Sequence, residues 1–168
     1  MPALVPEPQH QRPGRSLRDW LDEAREKLVA QLRHLAEVDS LGQAVGDRYD
    51  ERARELDAAG LPEEADQKAG QDLAQEKRGW PEQQRITEIY SEGMALAPLF
   101  ASVLSEVQDE IIRHVAVRPD AKPKLEAFGQ LPLVQNSREV VLSPRRALGN
   151  LETVIVIVDS LRAAPVAQ

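Results

Sequence analysis

The side chains of this 168-residue chain best suited to metal binding or proton transfer are three histidines, His10, His34 and His114, and two carboxylate pairs, Glu88/Glu92 and Glu106/Glu110. Carboxylates one helical turn apart share a face, and when buried they can hold a cation or act as acid and base. A helical di-metal site asks for more: a Glu-x-x-His step on each of two helices, with further carboxylates turned inward. Gln31 stands three residues before His34, and Ile111 three before His114, so that step is missing at both positions. Three of the four carboxylates fall on the polar side of the apolar pattern they interrupt and Glu110 flanks it, which predicts a solvated face. The chain has no cysteine, so thiolate metal sites, disulfides and a cysteine nucleophile are excluded within it. It also lacks a glycine-rich phosphate loop and a nucleophile-elbow serine. The expectation is a protein with no catalytic residues, no metal centre and no cofactor.

Arg145 and Arg146, with Arg138 and Lys124 upstream, form the one basic cluster. At the start of a predicted helix they oppose its dipole, an arrangement that an anionic partner would relieve. The net charge of −7 is unevenly spread. Residues 1–60 hold 9 basic and 12 acidic side chains, residues 61–117 hold 5 and 11, and residues 118–168 hold 7 and 5. The acidic middle argues against a broad nucleic-acid face, which needs clustered Lys and Arg. Only the weakly basic 118–146 region leaves room for phosphate contact.

The elements that must position these residues are helices. Ile86, Tyr90, Gly93, Ala97, Phe100, Leu104, Val107, Ile111 and His114 recur at alternating steps of four and three, the spacing of an apolar helix seam. Ile89, Leu96 and Val103 widen it on one flank, and Met94, Ala101 and Val115 on the other. A stripe this broad suits a helix with two or more neighbours in a bundle. Pro98 removes one hydrogen bond from this helix and predicts a bend.

A first helix is predicted over 17–58. Ser16 and Asp19 can cap it reciprocally, and Leu17, Leu21, Ala24, Leu28, Leu35 and Val38 carry its seam, with Gln31 as a polar seam residue. Gly42 and Gly46, after a second capping pattern at Ser40 and Gln43, predict a kink or break near 40–46. Gly60-Leu61-Pro62 is a strong stop. Helices follow over 62–78 and 82–117. Residues 118–143 read as an irregular strap or a weak hairpin turning at Asn136-Ser137. Ser143-Pro144 opens a C-terminal helix over 144–163, although residues 152–159 are β-branched and apolar enough to fit a buried strand.

The resulting fold class is all-α: a helical bundle over 16–117 with long amphipathic, coiled-coil-like helices. A proline-rich disordered arm over 1–15 precedes it, and a less regular C-terminal segment ends in a helix and the tail 164–168. Aromatics make up only 4% of the chain, which favours a Leu/Val/Ile/Ala core between helices. No apolar run approaches the roughly 20 residues that span a bilayer, and the N-terminus lacks a signal-peptide pattern. The expected setting is therefore the cytoplasm, away from the membrane. The leading expectation is a non-enzymatic structural or interaction module, working through a protein partner or self-association. Trp20, Leu28, Leu35, Tyr90, Phe100, Leu104 and Ile111 are its candidate interface residues, and Arg145 and Arg146 its candidate anion contacts. The alternatives are a nucleic-acid-associated accessory protein using 118–146, and an enzyme whose site forms at a subunit interface.

Overall fold

Residues 16–163 are described by the computed structural model, and every regular element among them is helical. In chain order these are α1 (Leu17–Ala58), α2 (Glu63–Arg78), α3 (Pro81–Val117), a 3₁₀ turn (Pro119–Ala121), α4 (Lys122–Gly129), α5 (Pro132–Gln135), α6 (Glu139–Leu142) and α7 (Pro144–Arg162). The arm expected over 1–15, with His10, and the tail 164–168 lie outside the described residues. No helix among the described residues is long and apolar enough to cross a membrane.

The helix starts follow local chemistry. Asp19 donates its backbone N–H to Ser16 Oγ at 3.0 Å, and Ser16 returns its own to Asp19 Oδ2 at 3.3 Å, a closed capping box. The end of α1 is set by Gly60, whose φ of 62° is a left-handed conformation that a Cβ would strain. Pro62 then starts the next helix without needing a backbone N–H.

Chain packing divides the protein into two units. The first takes residues 1–32 and 93–168, and the second residues 33–92, so α1 and α3 each contribute to both. In the first unit, Leu17, Leu21, Ala24 and Leu28 of α1 meet Phe100, Val103, Val107 and Ile111 of α3 and Leu151, Val154, Val158 and Leu161 of α7 in one core. Phe128, Leu133, Val140 and Ala147 extend it, so α4 to α6 pack on the same cluster. Arg18–Asp159 at 2.9 Å and Arg25–Glu152 at 3.2 Å join α1 to α7 along an exposed rim, where such pairs add little stability.

The second unit has a much smaller core of Val45, Leu73 and Trp80, with Tyr49, Ala53, Leu56 and Ile86 packed against it. The Arg48 guanidinium lies 4.4 Å from the centre of the Trp80 ring, and the Lys77 ammonium 5.6 Å from that of Tyr49. Both are cation–π distances. His34 Nδ1 meets Glu92 Oε2 at 3.0 Å, and Arg85 reaches Glu37 at 3.4 Å and Glu88 at 3.1 Å, tying α3 to α1 within this unit.

Two expectations are corrected. Of the kink or break expected at 40–46, the break is not formed, and α1 runs on across Gly42 and Gly46. Ser40 does not cap a new helix. Its hydroxyl donates back to the Glu37 carbonyl at 3.0 Å, while Gln43 donates to Asp47 one turn on. Two glycines disfavour helix by about 1 kcal/mol each, too little to interrupt so many flanking turns. The hairpin is not formed either. Residues 132–142 make two single-turn helices, with Asn136 Oδ1 accepting from the Arg138 N–H in the turn between them. Residues 152–159 belong to α7, the C-terminal helix expected from Ser143-Pro144, and the strand alternative is not formed. Their β-branched side chains are buried at Val154, Ile155, Ile157 and Val158, while Val156 is exposed.

The seam residue Gln31 is 5% exposed, and Gly93 stands against it: a Cβ at position 93 would lie 2.7 Å from Gln31 Nε2 and 3.4 Å from its Cδ. Glycine thus makes room for a buried amide. Around Gly42 and Gly46 there is nothing within 4 Å of an added Cβ. Alanine should therefore act with opposite sign at these sites. Gly42→Ala and Gly46→Ala are expected to stabilise by roughly 0.5–1 kcal/mol each. Gly93→Ala is expected to destabilise by about 1–2 kcal/mol by forcing the Gln31 amide aside. Urea unfolding of the three single variants measures this.

Candidate functional site

Burial sorts the candidate interface residues. Leu28, Phe100 and Ile111 are fully buried and Leu104 nearly so, all inside the core of the first unit, and Trp20 packs against the same core. These side chains are satisfied within their own chain. Leu35 is half-buried. Tyr90 is different, with 50% of its surface exposed on the second unit.

The carboxylate pairs also separate. Glu88 and Glu92 are on the surface and are engaged by Arg85 and His34. Glu106 and Glu110, expected on a solvated face, are 4% and 7% exposed. The buried side of α3 is turned from the predicted seam towards Leu96, Val103 and these two carboxylates. The opposite flank faces out, with Met94 66% and Ile112 47% exposed. Glu110 meets a partner 52 residues away: Arg162, at the end of α7, donates to its Oε1 at 2.8 Å. Among the described residues no three histidine or acidic side chains converge on a cation-sized space.

The basic cluster is partly neutralised. Arg146 donates to Glu139 at 2.7 Å across the start of α7, and Lys124 donates to Ser160 at 2.8 Å. Arg145 and Arg138 are exposed. The expected concentration of positive charge over 118–146 is thus divided among internal contacts.

What the sequence did not locate is where the negative charge collects. Residues 33–92, the second unit, hold 15 acidic and 8 basic side chains, a balance of −7 that equals the net charge of the whole chain. The first unit, with the large core, is neutral at 13 of each. The signal is present in the sequence but invisible until the unit boundaries are known. Within the acidic unit lies a cleft of about 360 Å³ lined by Tyr49, Ala74, Lys77, Arg78 and Gln83. Its size lies at the lower end of small-ligand sites. Its two cations sit in the last turn of α2, where the helix dipole favours them.

Compared with known protein families, curated proteins and solved structures, the chain matches none of them.

Two measurements follow from this placement. Phe100→Ala should cost about 3–5 kcal/mol of folding stability, whereas Tyr90→Ala, at an exposed site, should fall within about 0.5 kcal/mol of the parent. Burial holds His114 below its ordinary 6.5; Glu110 pulls it upward, and Arg118, Arg162 and Arg113 add to the depression. Above 6.5 the imidazole is neutral in the folded and unfolded chain alike, and stability is full. As pH falls below 6.5 the unfolded chain binds the proton first, so stability is lost until the folded chain titrates too. A His114→Asn chain should lack that portion of the slope, seen as a convergence of its urea midpoint with the parent's on acidification.

Proposed function

We propose that this chain is a non-enzymatic helical module that acts by protein–protein assembly in the cytoplasm. It presents the acid-rich 33–92 unit, with Tyr90 on its surface, to a basic partner. The observation that carries this reading is the segregation of charge from core. The apolar core of the first unit accompanies no net charge, while a unit with four buried apolar residues, Val45, Leu73, Trp80 and Ile89, holds the entire −7. Dense like charge over a small core repels itself, and a cationic partner relieves that repulsion while steering its own approach. Tyrosine supplies a rigid amphipathic contact of the kind that dominates binding energy at interfaces.

The first measurement is the solution mass of the purified chain by light scattering at low and high salt, which separates self-assembly from a distinct partner. A complex formed through this unit should weaken as salt rises. Tyr90→Ala should weaken it by at least about tenfold while leaving the thermal midpoint unchanged. A complex indifferent to both salt and Tyr90 would be held elsewhere on the chain and would remove this reading.

A further inference from the structure

Glu106, Glu110 and Arg113 follow one another along α3 at steps of four and three, and the first two are buried at 4% and 7% exposure. Arg162, the last residue of α7, reaches Glu110 Oε1 with Nη2. That pairing uses one carboxylate oxygen. Glu110 Oε2 is buried with no hydrogen-bond partner, and so are Nε and Nη2 of Arg113. Those two nitrogens are the parallel donors on one edge of the guanidinium, the fork that takes a carboxylate bidentate. Buried charged groups with unmet hydrogen bonds are strongly unfavourable. Here an orphaned acceptor and an orphaned donor fork stand one turn apart on the same helix, where Cβ atoms are about 5–6 Å from each other.

We infer that Glu110 is an exchangeable anchor for the end of α7. Arg162 holds it while the last turn of α7 is docked, and Arg113 takes it as a bidentate pair when that turn lifts away. Lifting α7 without such a substitute would leave the carboxylate uncompensated, and Arg113 stands one helical turn away to supply it. The Arg162 side chain is 37% exposed, whereas that of Glu110 is 9% exposed, so solvent and competing carboxylates reach the movable partner and not the fixed one. Detachment uncovers Val158 and Leu161, which are 0% and 3% exposed when docked. The last turn of α7 is thereby a strap that can open without unfolding the core.

The experiment is a double-mutant cycle on the full chain with Arg113→Met and Arg162→Met, read by urea unfolding and by amide hydrogen exchange at Val158–Leu161. Arg162→Met alone should speed exchange in that turn by about tenfold while moving the global midpoint little. Arg113→Met alone should leave exchange near that of the parent. Together they should raise the unfolding equilibrium constant about tenfold beyond the product of the single effects, because Glu110 then has neither arginine. In a Glu110→Gln background that excess should vanish. If the double variant fails to fold, adding Glu110→Gln should restore folding, and failure of that rescue would overturn the inference. Single effects that simply multiply would overturn the inference, as would an Arg113→Met chain that loses the turn, or the fold, by itself.

Discussion

Phe100 and Phe128 are the only phenylalanines in the chain, and both are buried in the core that α1, α3 and α7 share. With so few large apolar side chains, burial has to be concentrated to offset the chain entropy lost on folding. It is concentrated in the first unit. Leucine, valine and isoleucine from three helices surround Phe100, and the short helices α4 to α6 add Phe128, Leu133 and Val140. The second unit is left with a core of three residues and a dense charged surface. Its internal ties are correspondingly polar: cation–π contacts at Trp80 and Tyr49, and ion pairs that reach from Arg85 to Glu37 and from His34 to Glu92.

That allocation also explains the two polar residues buried most deliberately in the first unit. Gln31 is accommodated because residue 93 has no side chain to contest its place. Glu110 is accommodated because α7 delivers a guanidinium to it. Apolar side chains would have filled both positions at least as stably. Polar groups that need specific partners fix which residues may face each other, so they define one register between α1 and α3 and one docking of α7 where leucines alone would tolerate sliding.

Much of the architecture was legible because it is written locally. The reciprocal cap at Ser16 and Asp19, the stop at Gly60-Leu61-Pro62 and the entry at Ser143-Pro144 are each decided within four residues, and the structure has helix boundaries at all three. The rest depended on distance. Period alone could show that α3 has a broad stripe but not which edge of it would be covered, since that depends on the helices packed against it. Single-turn helices such as Pro132–Gln135 and Glu139–Leu142 are shorter than any periodicity can reveal. Gly42 and Gly46 misled because propensity acts residue by residue, while a helix as long as α1 responds to the sum over all its turns. The charge of the candidate surface was countable from the start, but only the division at residues 33 and 92 showed that the counts belong together.

The two tryptophans fall one to each unit: Trp20 against the large core, Trp80 inside the small one beneath the Arg48 guanidinium. The chain therefore carries its own pair of optical labels, with no need for an added dye. Replacing either indole by phenylalanine would leave an emission signal that belongs to one unit alone. Coincident loss of the two signals in denaturant would describe a single cooperative fold, and separated transitions would describe a small acidic unit that melts while the three-helix core persists. The same sparseness of aromatic residues that limits the core thus makes the cooperativity of this protein directly visible.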